Sequence, residues 1–206
     1  MKDVATINLG FLASGRGSNM QAIIDACRDG RLNANPAVVI SNNASSVALE
    51  RARNADIPGY HLGLITHPDP DTLDFMIIEI LQRYEVNLVI LAGYMQKIRP
   101  KVLNTFKNRI INIHPSLLPK FGGRGMYGMK VHAAVLAAGE KETGATIHLV
   151  NNEYDGGLIL AQCKAPVEQN DTPESLAARV INVEHRLYVE TLQKIINGEI
   201  KLPAAR

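Results

Sequence analysis

Two rhythms of apolar residues alternate along the first half of the chain. Ala5–Leu12, Ala37–Ile40 and Leu88–Leu91 are short and nearly unbroken apolar runs, the pattern of strands buried on both faces. Longer segments between them follow a helical period. Met20–Arg28 gathers Met20, Ile23, Ile24 and Cys27 on one side, and Thr72–Tyr84 sets Leu73, Met76, Ile77, Ile80 and Leu81 at i, i+3, i+4, i+7 and i+8. Val47–Ala55 reads as another helix. Pro58, Gly59, Pro68 and Pro70 mark the stretch after it as loop. Pro100–Phe106 begins with proline at a first helical position, and Arg109–Ile113 is a further strand.

The rhythm changes after Pro119. Phe121–Gly128 carries Gly122, Gly123, Gly125 and Gly128 and is expected to be a mobile loop. Lys130–Ala138 is a short helix. Thr143–Val150 and Leu158–Pro166 are expected to pair antiparallel through a turn at Asp155-Gly156-Gly157. A last helix runs from Pro173 to Asn197, capped by Asp171 or Thr172 and stopped at Gly198. The whole predicts an α/β fold: a mostly parallel twisted sheet with helices on both faces, a Rossmann-like N-terminal half and an antiparallel C-terminal strand pair.

Composition narrows the picture. At 206 residues, 46% hydrophobic and 20% charged, the chain suits one soluble globular domain. Residues 1–100 form the nucleotide-like half and 101–206 the second half, with no repeat or linker between. A formal charge of +2 argues against a nucleic-acid partner. No apolar run reaches the roughly 20 residues of a membrane helix, and the N-terminus lacks a signal peptide's pattern. Cys27 and Cys163 match no metal spacing and no disulfide framework. The expected setting is the cytoplasm, with no membrane and no metal; a monomer and a homodimer both remain open.

Candidate chemistry gathers in three places. At the end of one strand, Asn112 and His114 stand at i and i+2, hence on one face. Pro115 and Pro119 end the ladder beyond them. Polar groups at the carboxyl end of a buried strand are where open α/β sheets bind and react; a turn asparagine and a structural histidine fit the same positions. The second place is Ser14-Gly15-Arg16-Gly17-Ser18-Asn19, between a strand and a helix, where close backbone approach and a helix start suit a phosphate. It matches neither a Walker loop nor a dinucleotide fingerprint, and a capped tight turn is the alternative. The third is Asp155, which the fold must bring to His114. A carboxylate there would raise the imidazole's pKa, making an acid able to stabilise an oxyanion and donate a proton, while an Asp-Gly turn is the plain alternative. No serine elbow or cysteine–histidine motif supplies a nucleophile. His148 sits on the Thr146-Ile147-His148-Leu149-Val150 run, where alternation leaves both an active-face and a structural place open.

Asn112-Ile113-His114-Pro115-Ser116-Leu117-Leu118-Pro119 resembles the signature of the folate-dependent formyltransferases, and Glu153-Tyr154-Asp155-Gly156-Gly157 resembles their catalytic aspartate loop. The glycine loop resembles that of the members acting on a small phosphate-bearing amine. The likeness runs from the first strand to the last helix and implies the formyltransferase fold. It implies 10-formyltetrahydrofolate as co-substrate and the amine of glycinamide ribonucleotide as acceptor, in purine biosynthesis. It assigns catalysis to Asn112, His114 and Asp155, with His114 as general acid, Asp155 raising its pKa and Asn112 stabilising the oxyanion. It assigns the phosphate to Gly17, Ser18 and Asn19 and the ribose to Glu184, for which a solvated helix face is the plain alternative. It assigns the folate to Met95, Gln96, Lys97 and Ile98, with Asn112 and the loop Asn151 to Asp155; Gln96 stands where relatives often carry arginine. Water as acceptor, another amine, and a non-enzymatic nucleotide sensor are the competing functions. The glycine-rich Gly122–Lys130 exceeds the shorter relatives and fits either a lid over the site or a passive insertion.

Overall fold

A computed structural model describes residues 6–205. Among the described residues seven strands form one sheet in the order β3-β2-β1-β4-β5-β6-β7. They are β1 (Ile7–Ala13), β2 (Ala34–Ser41), β3 (Gly59–His61), β4 (Leu88–Leu91), β5 (Ile110–His114), β6 (Glu142–Leu149) and β7 (Ile159–Pro166). Strands β1 to β5 are parallel to one another, and β6 runs antiparallel to both β5 and β7. The helices are α1 (Ser18–Arg28), α2 (Val47–Asn54), α3 (Pro70–Arg83), α4 (Pro100–Thr105), α5 (Met129–Ala137) and α6 (Pro173–Ile196).

Strand alternation divides the core in two. Leu9, Phe11 and Ala13 face α1, α2 and α6, where Met20, Ile23, Ala48, Ala52 and Tyr188 close over them. Leu12, Val38, Ile40 and Val89 face the opposite side, under α3 and α4. Covering both faces is what lets β4 be buried at all four positions. Among the described residues no helix is long and apolar enough to cross a membrane.

The expected elements form, with shifted ends. Strand β3 lies inside the stretch expected to be loop: three residues pair with the edge of β2, Val39 against Gly59, too short a run to show an apolar pattern. Strand β2 starts at Ala34, ahead of its apolar run, and tolerates Pro36 because the register shifts beside it, between Leu9 and Gly10 of β1. Ala5, expected to open the first strand, lies outside the described residues. Helix α1 starts at Ser18 rather than Met20, since its first turn is polar. Strand β5 reaches His114, so the imidazole is carried by the strand itself.

Candidate active site

Three chain segments leave the carboxyl ends of β1, β4 and β5 side by side. The turn after β1 enters α1 through Gly17, whose backbone is left-handed (φ 62°, ψ 32°). A Cβ there would also meet Ala48 Cβ at 2.9 Å, so the position requires glycine on both counts. Among the described residues no side-chain cap hydrogen bond is made at this helix start, an arrangement in which first-turn amides can receive an anion. The turn is tied to the segment after β4: Ser14 N–H donates to Gly93 O (3.1 Å), and Met95 N–H donates to Ser14 Oγ (2.7 Å).

Asn112 and His114 share one face of β5, and β6 lies opposite with His148 against Asn112 and Thr146 against His114. The loop between β6 and β7 returns Asp155 to this face. Gly157 permits that return, because any Cβ there would overlap Leu149 O. Asp155 stands between two imidazoles, with Oδ2 3.5 Å from His114 Nδ1 and Oδ1 3.5 Å from His148 Nε2. Gly123 N–H donates to Asp155 Oδ2 (2.9 Å). Asn112 Nδ2 lies 3.2 Å from His148 Nε2.

Two carbonyls decide where the imidazole protons sit. Phe121 O lies 2.8 Å from His114 Nε2, and Leu149 O lies 2.9 Å from His148 Nδ1. A carbonyl only accepts, so these nitrogens carry hydrogen. In the neutral rings the free lone pairs are then Nδ1 of His114, facing Asp155, and Nε2 of His148, facing Asn112 and Asp155.

The electrostatics correct one expectation. Asp155 does pull the His114 pKa upward, but burial is the larger effect and holds the imidazole below its ordinary 6.5. His114 is only 4% exposed, and the unliganded ring is therefore neutral at pH 7. Burial pushes the Asp155 carboxyl up, yet His148, His114 and the Gly123 amide together hold it below the usual carboxylate range.

The other expected residues fall into two groups. Asn19 and Glu184 meet: Asn19 Nδ2 donates to Glu184 Oε2 at 2.7 Å. Glu184 is buried, so the solvated-face alternative fails, and burial pushes its carboxyl up to about 7. Gln96 and Lys97 are exposed, Ile98 is buried and Met95 is 58% exposed, so Met95 is not a packing residue. Lys97 Nζ sits 5.1 Å above the Tyr154 ring, which joins this segment to the Asp155 loop. Gln96, Lys97 and Ile98 help line a cavity of 220 Å³ together with Leu64, Ile65 and Tyr94, room for one ring system. A larger groove of 740 Å³ runs between α1 and α6, and none of Asn112, His114 and Asp155 lines it.

Sequence reasoning had no means of finding several contributors. Phe121 and Gly123 act through their backbone, and only Phe121's positive φ of 56° sets it apart. Thr146 and Gln162 brace the turn beyond His114: Thr146 Oγ1 donates to Ser116 O (2.7 Å), and Gln162 Nε2 donates to Leu118 O (2.9 Å). Their place depends on the β5–β6–β7 register.

The formyl transferase profile matches residues 7–192. Phosphoribosylglycinamide formyltransferase of Arabidopsis thaliana, a chloroplastic protein, is 43% identical over 194 residues, which are 94% of this chain and 66% of that one. The chain spans just under two thirds of the length of such plant relatives. The Escherichia coli phosphoribosylglycinamide formyltransferase is 36% identical over 95% of this chain and 90% of its own. The crystal structure of glycinamide ribonucleotide transformylase 1 from Symbiobacterium toebii superposes with a TM-score of 0.89 at 41% identity, covering 98% of this chain and 92% of that one.

Proposed function

The chain belongs to the formyl transferase family, and from that premise we propose that it moves a formyl group from 10-formyltetrahydrofolate to the amine of glycinamide ribonucleotide, a step of purine biosynthesis. The observation that carries the reading is that the β6–β7 loop brings Asp155 Oδ2 to 3.5 Å from His114 Nδ1, on the β5 face that His114 shares with Asn112. Acyl transfer to an amine needs no protein nucleophile, only a group for the oxyanion and a carrier for one proton.

Each residue then has a task. Gly17 lets the backbone approach the ribonucleotide phosphate, which the amides at Ser18 and Asn19 bind. Glu184, held by Asn19, accepts from the ribose hydroxyls. Met95 to Ile98 and the loop Asn151 to Asp155 flank the folate ring, with Lys97 over Tyr154 joining them. Asn112 donates an N–H to the carbonyl oxygen as it becomes an oxyanion. His114, neutral at rest, takes the proton lost by the attacking amine at Nδ1. The imidazolium is then stabilised by the Asp155 carboxylate and by the oxyanion. It returns the proton to the departing folate nitrogen, so His114 ends neutral and Asp155 stays ionised. His114 is thus a base before it is an acid.

Residues 1–100 hold the phosphate turn and the Met95 to Ile98 side of the folate site, and residues 101–206 carry catalysis, the Asn151 to Asp155 side of the folate site and Glu184, in one unit acting on small molecules in the cytoplasm. The test is tetrahydrofolate release followed by absorbance, with and without glycinamide ribonucleotide. Release that requires the ribonucleotide is the expected result. Release with water alone would identify a hydrolase, and binding of the ribonucleotide without release would identify a sensor.

A further inference from the structure

Within the formyl-transfer reading, we infer that His148 is a positioning residue that selects the orientation of the Asn112 carboxamide, so that an N–H rather than the C=O faces the reacting oxygen. A carboxamide offers a donor on one side and an acceptor on the other, and rotation by half a turn exchanges them at almost no steric cost. An oxyanion is stabilised by the first orientation and repelled by the second. Something must choose, and Asn112 cannot do so alone.

The choice traces to one backbone carbonyl. Leu149 O accepts from His148 Nδ1 at 2.9 Å, which leaves Nε2 as the lone-pair atom of the neutral ring. That atom faces Asn112 Nδ2 at 3.2 Å. An acceptor there bonds the amide's NH2 and disfavours its oxygen. One Nδ2 hydrogen is used, the oxygen is turned to the other side, and the second Nδ2 hydrogen remains for the substrate. The arrangement is rigid: His148 is 3% exposed, and Asn112 and His148 are direct cross-strand partners in β5 and β6, the closest placement two sheet side chains can have. Its contact with Asp155 (3.5 Å) opens another route of action, through the carboxylate, and the experiment separates the two.

The experiment is a pair of double-mutant cycles on steady-state formyl transfer. His148→Phe and His148→Ala each remove the acceptor; whichever folds, by its thermal transition, supplies the cycles. The variant is expected to lower kcat by about 10- to 100-fold, the scale of a lost oxyanion donor, with KM for both substrates within about 3-fold. In an Asn112→Ala background the same change is expected to cost less than about 2-fold, because nothing remains to orient. His148→Gln, whose Oε1 can accept from Nδ2, is expected to recover part of the lost kcat. Losses that multiply in the Asn112→Ala background, or that vanish only in an Asp155→Asn background, overturn the positioning role while the formyl-transfer reading stands. A wild type that releases no tetrahydrofolate with the ribonucleotide overturns that reading and this proposal with it.

Discussion

Asn19 Nδ2 donates to Glu184 Oε2 at 2.7 Å, joining the first turn of α1 to the middle of α6 across 165 positions of chain. The bond ties the turn after β1 to a buried carboxylate, and it does not fully compensate that carboxylate for lost water. Burial pushes Glu184 up from 4.5 to about 7. Between those values the folded state holds a proton that the unfolded state has released, so stability falls as pH rises from 4.5 to 7.

Replacing Glu184 by Gln should therefore flatten the dependence of Tm on pH in that window. The variant should match wild type near pH 4 and exceed it above pH 7, by at most about 3 kcal/mol for a shift of this size. Its KM for glycinamide ribonucleotide should rise, because an amide accepts more weakly from hydroxyls than a carboxylate. A variant that is both less stable at pH 8 and unaltered in KM contradicts both statements.

His114 and Asp155 predict a pH profile. Burial holds the His114 pKa below 6.5 in the unliganded protein, and in the proposed mechanism protonation at Nδ1 removes the base. The acid limb of kcat/KM, which reports the free enzyme, should fall below pH 6.5. Asp155 contributes an upward pull, so Asp155→Asn should move that limb to lower pH while reducing kcat by orders of magnitude. The same group also has a stability signature. The unfolded chain takes up a proton at 6.5 that folded His114 refuses until lower pH, so this imidazole's contribution declines on acidification below 6.5. Movement of the limb to higher pH in Asp155→Asn would contradict the assignment.

Gly17→Ala combines a left-handed backbone with a Cβ that meets Ala48 at 2.9 Å. The expected cost is about 1–3 kcal/mol in stability, read from chemical denaturation. The KM for the phosphate-bearing substrate should rise more than the KM for the folate. An equal rise in both would argue against a phosphate site at this turn.

The segment after Gly123 offers a separable test. Gly122 has no room for a Cβ against Leu118, and Gly123 holds Asp155, whereas Gly125, Tyr127 and Gly128 are exposed. Deleting Gly125–Gly128 should raise the apparent KM more than it lowers stability. A deletion that moves only the melting temperature would make this segment a passive insertion.

Local pattern carried much of this molecule. Strands buried on two faces have to be apolar throughout and helices on a sheet have to be apolar every third or fourth residue, so the alternation along the first half is written in side chains. The i, i+2 spacing of Asn112 and His114 places them on one face by backbone geometry alone, and Gly17 marks the tight turn between a strand and a helix. What pattern could not carry is whatever depends on two distant segments meeting. Glu184 looks like any helix glutamate until α6 covers the sheet and buries it. His148 becomes part of the site only through the register that sets it against Asn112. The His114 pKa runs below rather than above its ordinary value because the imidazole's own burial outweighs its carboxylate neighbour. Desolvation is a property of the assembled surroundings and of no residue singly, so only the tertiary structure decides it.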